Sequence, residues 1–196
     1  VQIFHKKKPY RLSSLLTSNN IKEYCKDQLS SSEKISFEDY FNKSLKNITF
    51  NNKSLQTRFN LLKKYVQKKY SLEEDCLLSW GHCDFTPWNL IKVNDNFFLI
   101  DFEKFKKNNV ICGFDISQFF LSNLMFSNKK LTPKKLDNIK DYFMQKYKFK
   151  TSINFDISIV EVFKDYLYII DQSEDYLIQY DWVLSIIDDF NQIQCR

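Results

Sequence analysis

The sequence predicts a mostly α-helical domain carrying one small β-hairpin. Three observations predict it. Apolar residues recur at helical spacing on both sides of the middle of the chain. Between about residues 76 and 100 that period gives way to short apolar runs. Two of those runs, "LIKV" and "FFLI", flank a tight polar turn, "NDN". With 196 residues the chain is long enough for one domain, or one lobe of a larger one. It divides into a helical region over 1–78, a loop and hairpin over 79–105, and a second helical region over 113–196.

Each element has its own local reason. "SFEDYFNKSLKNI" puts Phe37, Tyr40, Phe41, Leu45 and Ile48 on one helical face, and Ser36 with Asp39 resembles a capping box. "SLQTRFNLLKKYVQKKY" repeats the pattern through Leu55, Phe59, Leu62 and Val66. "CLLSW" is too short for a helix and reads as a strand before the hairpin. Helical spacing returns in "FDISQFFLSNLMF". "TPKKLDNIKDYFMQKY" opens with Thr132 as N-cap and Pro133 in the first turn. Two more helices are expected between about Asp156 and Gln194.

Composition narrows the function classes. The net charge is +5, but it is nearly all lysine, with Arg11, Arg58 and Arg196 the only arginines. Base and phosphate recognition leans on arginine forks, so scattered lysines read as solvated surface and no nucleic-acid partner is expected. No run of about 18 apolar residues is present, so no membrane span is expected. "VQIFHKKKPYR" lacks the apolar core of a signal peptide. The five cysteines are odd in number and form no C-x-x-C pair, which fits a reducing cytoplasm better than zinc or a disulfide framework. Cys25, Cys76 and Cys112 sit among apolar neighbours and read as buried thiols. A chain that begins with Val rather than Met predicts a fragment of a longer protein.

The chemistry concentrates in "SWGHCDFTPWNLIKVNDNFFLIDFEKF", Ser79 to Phe105. His82, Asp84 and Asn89 follow a short strand, and Asp101 ends the second hairpin strand. A hairpin returns its far end to its near end, so Asp101 can face Asp84 and Asn89. Magnesium takes oxygen ligands and is held by one or two protein groups together with substrate phosphates. Asp101 and Asn89 offer a carboxylate and an amide oxygen, which leaves Asp84 to orient a hydroxyl and take its proton. Phosphoryl transfer asks for metal, positioning and charge neutralisation. The bland alternatives are a core histidine at His82, loop caps at Asp84 and Asp101, and a surface role for Glu103; none explains why five polar residues fall in this order.

"GHCDFTPWNLI" followed by "FFLIDFE" and "GFDISQFF" resembles the catalytic segment of the aminoglycoside phosphotransferase and choline kinase superfamily. The likeness covers roughly residues 79–121. It implies the C-terminal lobe of a protein-kinase-like α+β fold, with the N-terminal lobe absent or strongly reduced. It implies Asp84 as catalytic base, Asn89 and Asp101 as magnesium ligands, and His82 and Asp115 as structural supports of the loop. It implies Mg2+ with ATP as cofactor and a small hydroxyl-bearing acceptor: a sugar, an aminoglycoside or an amino alcohol, in a setting such as cell-surface polysaccharide metabolism. By position in that family, Asp165, Asp171, Glu174 and Asp181 could rim a cationic acceptor site. Two departures stand out. Cys83 occupies the place of a usual glycine, tolerable at negative φ and damaging at positive φ. No glycine-rich phosphate loop or strand lysine is recognisable, since Gly81 and Gly113 are the only glycines. The second reading is therefore a non-catalytic, pseudokinase-like binding module or truncated remnant.

Overall fold

A computed structural model describes residues 19–94, 96–127, 129–173 and 180–194. The fold is α+β: seven described helices surround two small antiparallel sheets. Helix α1 (Asn19–Ser30) leads into strand β1 (Glu33–Ser36), helix α2 (Phe37–Ser44) and helix α3 (Lys53–Lys69). Strand β2 (Asp75–Gly81) precedes the polar loop. The hairpin is β3 (Leu90–Val93) and β4 (Asn96–Leu99), and β5 (Lys106–Ile111) follows it. Helices α4 (Phe114–Phe126), α5 (Pro133–Tyr147), α6 (Ile153–Asp171) and α7 (Asp181–Gln194) complete the chain.

Local chemistry accounts for the boundaries. The Ser36 hydroxyl accepts from the Asp39 N–H at 3.1 Å and donates to the Asp39 carboxylate at 2.8 Å. Thr132 caps α5 by accepting from the Lys135 N–H, with Pro133 in the first turn. Helix α2 stops at Ser44, short of the stripe that reaches Ile48. The hairpin register pairs Ile91 with Phe98 and Val93 with Asn96. Its turn is thus one residue tighter than "NDN", and Asn94 takes a left-handed φ of 55°.

One sheet was not anticipated. Strands β1, β2 and β5 form a three-stranded sheet with β2 at its centre, so the hairpin is not the only β structure. Helix α6 carries Asn154 under that sheet, where its amide exchanges hydrogen bonds with both backbone groups of Leu77 and reaches the Cys112 carbonyl. At the same end, buried Asp156 pairs with Lys69 at 2.6 Å and accepts from the Tyr70 hydroxyl, tying the end of α3 to α6. The core runs through α3, α4 and α6, with Phe59, Phe119, Phe155 and Phe163 fully enclosed. No described helix is long and apolar enough to cross a membrane.

Cys25, Cys76 and Cys112 are buried, and so is Cys83; Cys195 lies outside the described residues. Burial pushes the Cys25 thiol up to about 11 and the other three to about 12. The folded chain therefore keeps these thiols protonated where the unfolded chain, near 9, ionises them. Their stabilising contribution is intact below about pH 9 and is lost as pH climbs toward 12. Chemical denaturation at pH 7.5 and 10 should show a lower midpoint at the higher pH, and the four thiols should react with Ellman's reagent quickly only in denaturant.

Gly113 precedes α4 at φ 96°, and a Cβ there would lie 2.1 Å from Phe143 Cζ. Left-handed strain plus overpacking predicts that Gly113→Ala costs about 2–4 kcal/mol, read from urea unfolding. A midpoint equal to that of the parent chain would exclude the clash.

Candidate active site

Strand β2 delivers the loop, and its last residue explains one glycine. A Cβ on Gly81 would meet Val110 Cγ1 at 2.8 Å and the Asp115 carboxylate at 3.3 Å. Glycine lets β5 and the Asp115 side chain approach the strand end together. Asp115, in the first turn of α4, is fully buried. One of its oxygens accepts from the Tyr24 hydroxyl at 2.6 Å, Gln28 Nε2 at 3.0 Å and the His82 N–H at 3.0 Å. The other accepts from the Cys83 N–H at 2.8 Å. Burial raises its pKa, and the bonds from Tyr24, Cys83 and His82 oppose that rise.

His82 is fully buried, and both ring nitrogens are engaged. Nδ1 accepts from the Asp84 N–H at 3.3 Å, and Nε2 lies 3.1 Å from the Ile100 carbonyl. This assigns the ring proton to Nε2, which donates to Ile100. The ring also packs edge-on against Phe102 at 4.7 Å. His82 thus braces the loop and has no free nitrogen for chemistry.

The far side of the hairpin is fixed to the same loop. The Ile100 N–H donates to the Asn89 carbonyl at 3.0 Å, so Ile100 is tied to both His82 and Asn89. Asp101 follows directly, with φ 62° and an exposed side chain. Asn89 is buried in a short 3-10 turn, and its Nδ2 donates to the Asp84 carbonyl at 2.9 Å. That bond uses the amide nitrogen and leaves the amide oxygen as the free end. Backbone bonds therefore gather the segments of Asp84, Asn89 and Asp101; no hydrogen bond joins their side chains to one another. Lys104 is a participant the sequence did not announce: its Nζ lies 3.2 Å from Asp84 Oδ2. It lies in the turn after Asp101, where no periodic pattern singles out a residue.

Asp101 and Asn89 offer one carboxylate and one amide oxygen, which are hard donors of the type magnesium takes. Among the described residues no three of His, Cys, Asp and Glu are gathered as a protein-only metal cage. A hard cation held by one carboxylate, one amide oxygen and a ligand's phosphates needs no such cage. Asp101 and the free oxygen of Asn89 are groups of that kind.

Three expectations change. Cys83 has φ 60°, the region in which a Cβ is strained, so this residue does sit where the backbone favours glycine. The loop accepts it because the Cys83 N–H is held by Asp115 and its side chain is buried. Asp171 has a structural use: its carboxylate accepts from the Asn51 and Asn52 N–H groups at 2.9 and 3.0 Å, ahead of α3. Asp181 lines a different cavity, with Arg58 and Asp188, while Glu174 lies outside the described residues. Glu103 is exposed on the turn after Asp101. No protein-family model, curated protein or solved structure matches the chain.

The strain at position 83 is testable. Cys83→Gly should stay within about 1 kcal/mol of the parent, because relief of strain offsets the added chain entropy. Cys83→Val should lose about 1–3 kcal/mol. Equal stability of the two variants in urea unfolding would refute the strain.

Proposed function

We propose that the chain is the catalytic-loop lobe of a kinase-like phosphotransferase, moving the γ-phosphoryl of ATP to a hydroxyl of a small acceptor. The observation that carries this reading is the double anchoring of the loop. Asp115 holds His82 and Cys83 by their N–H groups, and Ile100 links His82 and Asn89 to the segment of Asp101. Such anchoring supplies the fixed geometry that phosphoryl transfer requires.

In this reading Asp84 is the base. Its carboxylate makes no hydrogen bond to its own loop; it pairs with Lys104, whose side chain is 60% exposed, and lies within electrostatic reach of Tyr166. An exposed lysine is readily displaced or turned toward an incoming phosphate. Asp84 orients the acceptor hydroxyl and accepts its proton as the oxygen attacks the γ-phosphorus and the bond to the β-phosphate oxygen breaks. Asn89 and Asp101 would hold magnesium, which neutralises phosphate charge when bound. Lys104 adds a positive charge beside the same carboxylate. The groups that normally cradle the phosphates, a glycine-rich loop and its lysine, are not recognisable in this sequence.

The test separates binding from transfer. Calorimetric titration should show weak, magnesium-dependent ATP binding, weakened at least tenfold in Asp101→Asn. Asparagine is the right replacement because it tolerates the left-handed φ of 62°, whereas alanine adds strain. Asp84→Asn should bind Mg-ATP as the parent does. Any transfer to a panel of sugars, amino alcohols and aminoglycosides should be slow and should vanish in Asp84→Asn. ATP binding indifferent to both magnesium and Asp101 would sink the proposal.

A further inference from the structure

A second feature lies beside the loop. A cavity of about 210 Å3 opens between β5 and α6, lined in part by Tyr40, Cys83, Lys106, Glu161, Lys164 and Asp165. Its walls are mostly hydrogen-bonding groups. Glu161 is buried and fully occupied: it accepts from the Tyr40 hydroxyl at 2.7 Å and pairs with Lys164. Asp165, one turn further along α6, is half-buried; its carboxylate has no hydrogen bond or ion pair among the described residues. The Lys106 side chain, on the opposite wall, has none either. An acid withdrawn from water and left without a donor costs stability, and burial accordingly raises its pKa. A ligand supplying that donor would offset the cost.

We infer that this cavity binds a neutral monosaccharide, and, resting on the phosphotransferase reading, that the sugar is the acceptor. Charge selects the class. Glu161 and Asp165 balance Lys106 and Lys164, so the walls carry no net charge to attract an isolated cation or anion. A quaternary ammonium favours a cage of aromatic faces, whereas here only Tyr40 and Phe114 are aromatic. A free carboxylate opposite a free ammonium suits neighbouring hydroxyls, which donate to one and accept from the other. The volume admits one hexose ring. Position links the cavity to the chemistry. Cys83 is part of its wall and Asp84 is the next residue; Lys104, paired with Asp84, is among the charges that act on Asp165.

The experiment titrates the chain, without nucleotide, with D-glucose, D-galactose, D-mannose and D-ribose, and with choline and ethanolamine as contrasts, read by saturation-transfer NMR and calorimetry. At least one sugar should bind at millimolar concentration or tighter, and choline should not. Asp165→Asn should weaken that sugar at least tenfold while leaving the urea midpoint at or above the parent's, because a half-buried carboxylate without a protein donor has been neutralised. Ser44→Leu, from another wall of the cavity, should weaken it as well by filling space. No sugar binding, preference for choline, or binding untouched by both substitutions would overturn the inference. Mg-ATP binding measured in parallel separates the two proposals. Sugar binding that Asp165→Asn weakens, without magnesium-dependent ATP binding, keeps the cavity and discards the kinase; the reverse result discards the cavity alone.

Discussion

The Asp115 carboxylate is the constraint on which the rest of the site depends. A buried charge is costly unless its oxygens are saturated with donors. Here four donors meet it, two from α1 through Tyr24 and Gln28, and two from the loop through the His82 and Cys83 N–H groups. Its place in the first turn of α4 adds the favourable end of the helix dipole. Both of the chain's glycines serve this one group. Gly81 leaves room for β5 and for the carboxylate itself, and Gly113 provides the left-handed residue from which α4 starts against Phe143. A chain otherwise stripped of glycine keeps it where a Cβ has nowhere to go.

From that anchor the geometry propagates by backbone bonds. Holding His82 fixes its ring, the ring fixes Ile100, and Ile100 fixes Asn89 and places Asp101. Gln28 extends the network the other way, donating to the Trp80 carbonyl and accepting from the Tyr147 hydroxyl on α5. The loop is therefore held by elements that precede and follow it in the chain. Replacing Asp115 would leave several buried donors unpaired at about 1–3 kcal/mol each, a large part of the stability of an ordinary domain.

What could be read from the sequence follows the same physics. Helices α2, α3 and α5 were legible because each buries a spaced apolar stripe, and the hairpin because two short apolar runs flank a polar turn. Helix α1 was not: it buries only Ile21, Cys25 and Gln28, and one of those three is polar. Strand β5, "KKNNVI", buries only its last two residues and shows no alternation. The order of His82, Asp84, Asn89, Asp101 and Asp115 was visible because the loop, the hairpin and the start of α4 follow one another directly in the chain. Lys104 and the free carboxylate of Asp165 were not singled out by local pattern, because what matters about them is the partner each has or lacks across the fold. The positive φ of Cys83 was hidden for the opposite reason: the residue type that normally reports it is missing.

The carboxylates divide into two groups, and the division is informative. Asp115, Asp156, Asp171 and Glu161 are each met by protein donors. They are structural, since each joins elements distant in sequence. Asp101 and Asp165 have no hydrogen bond or ion pair with the described protein, and Asp84 has only the tip of an exposed lysine. Asp101 is exposed and solvated, but Asp165 is penalised by burial without a protein donor to offset it. Local rules are broken where function compensates for them. The unmatched acids lie on or beside the loop that Asp115, one of the matched ones, holds by its His82 and Cys83 N–H groups. The saturated network is the scaffold, and the unsaturated oxygens at its edge are where a cation, a hydroxyl or a sugar would complete what the protein leaves open.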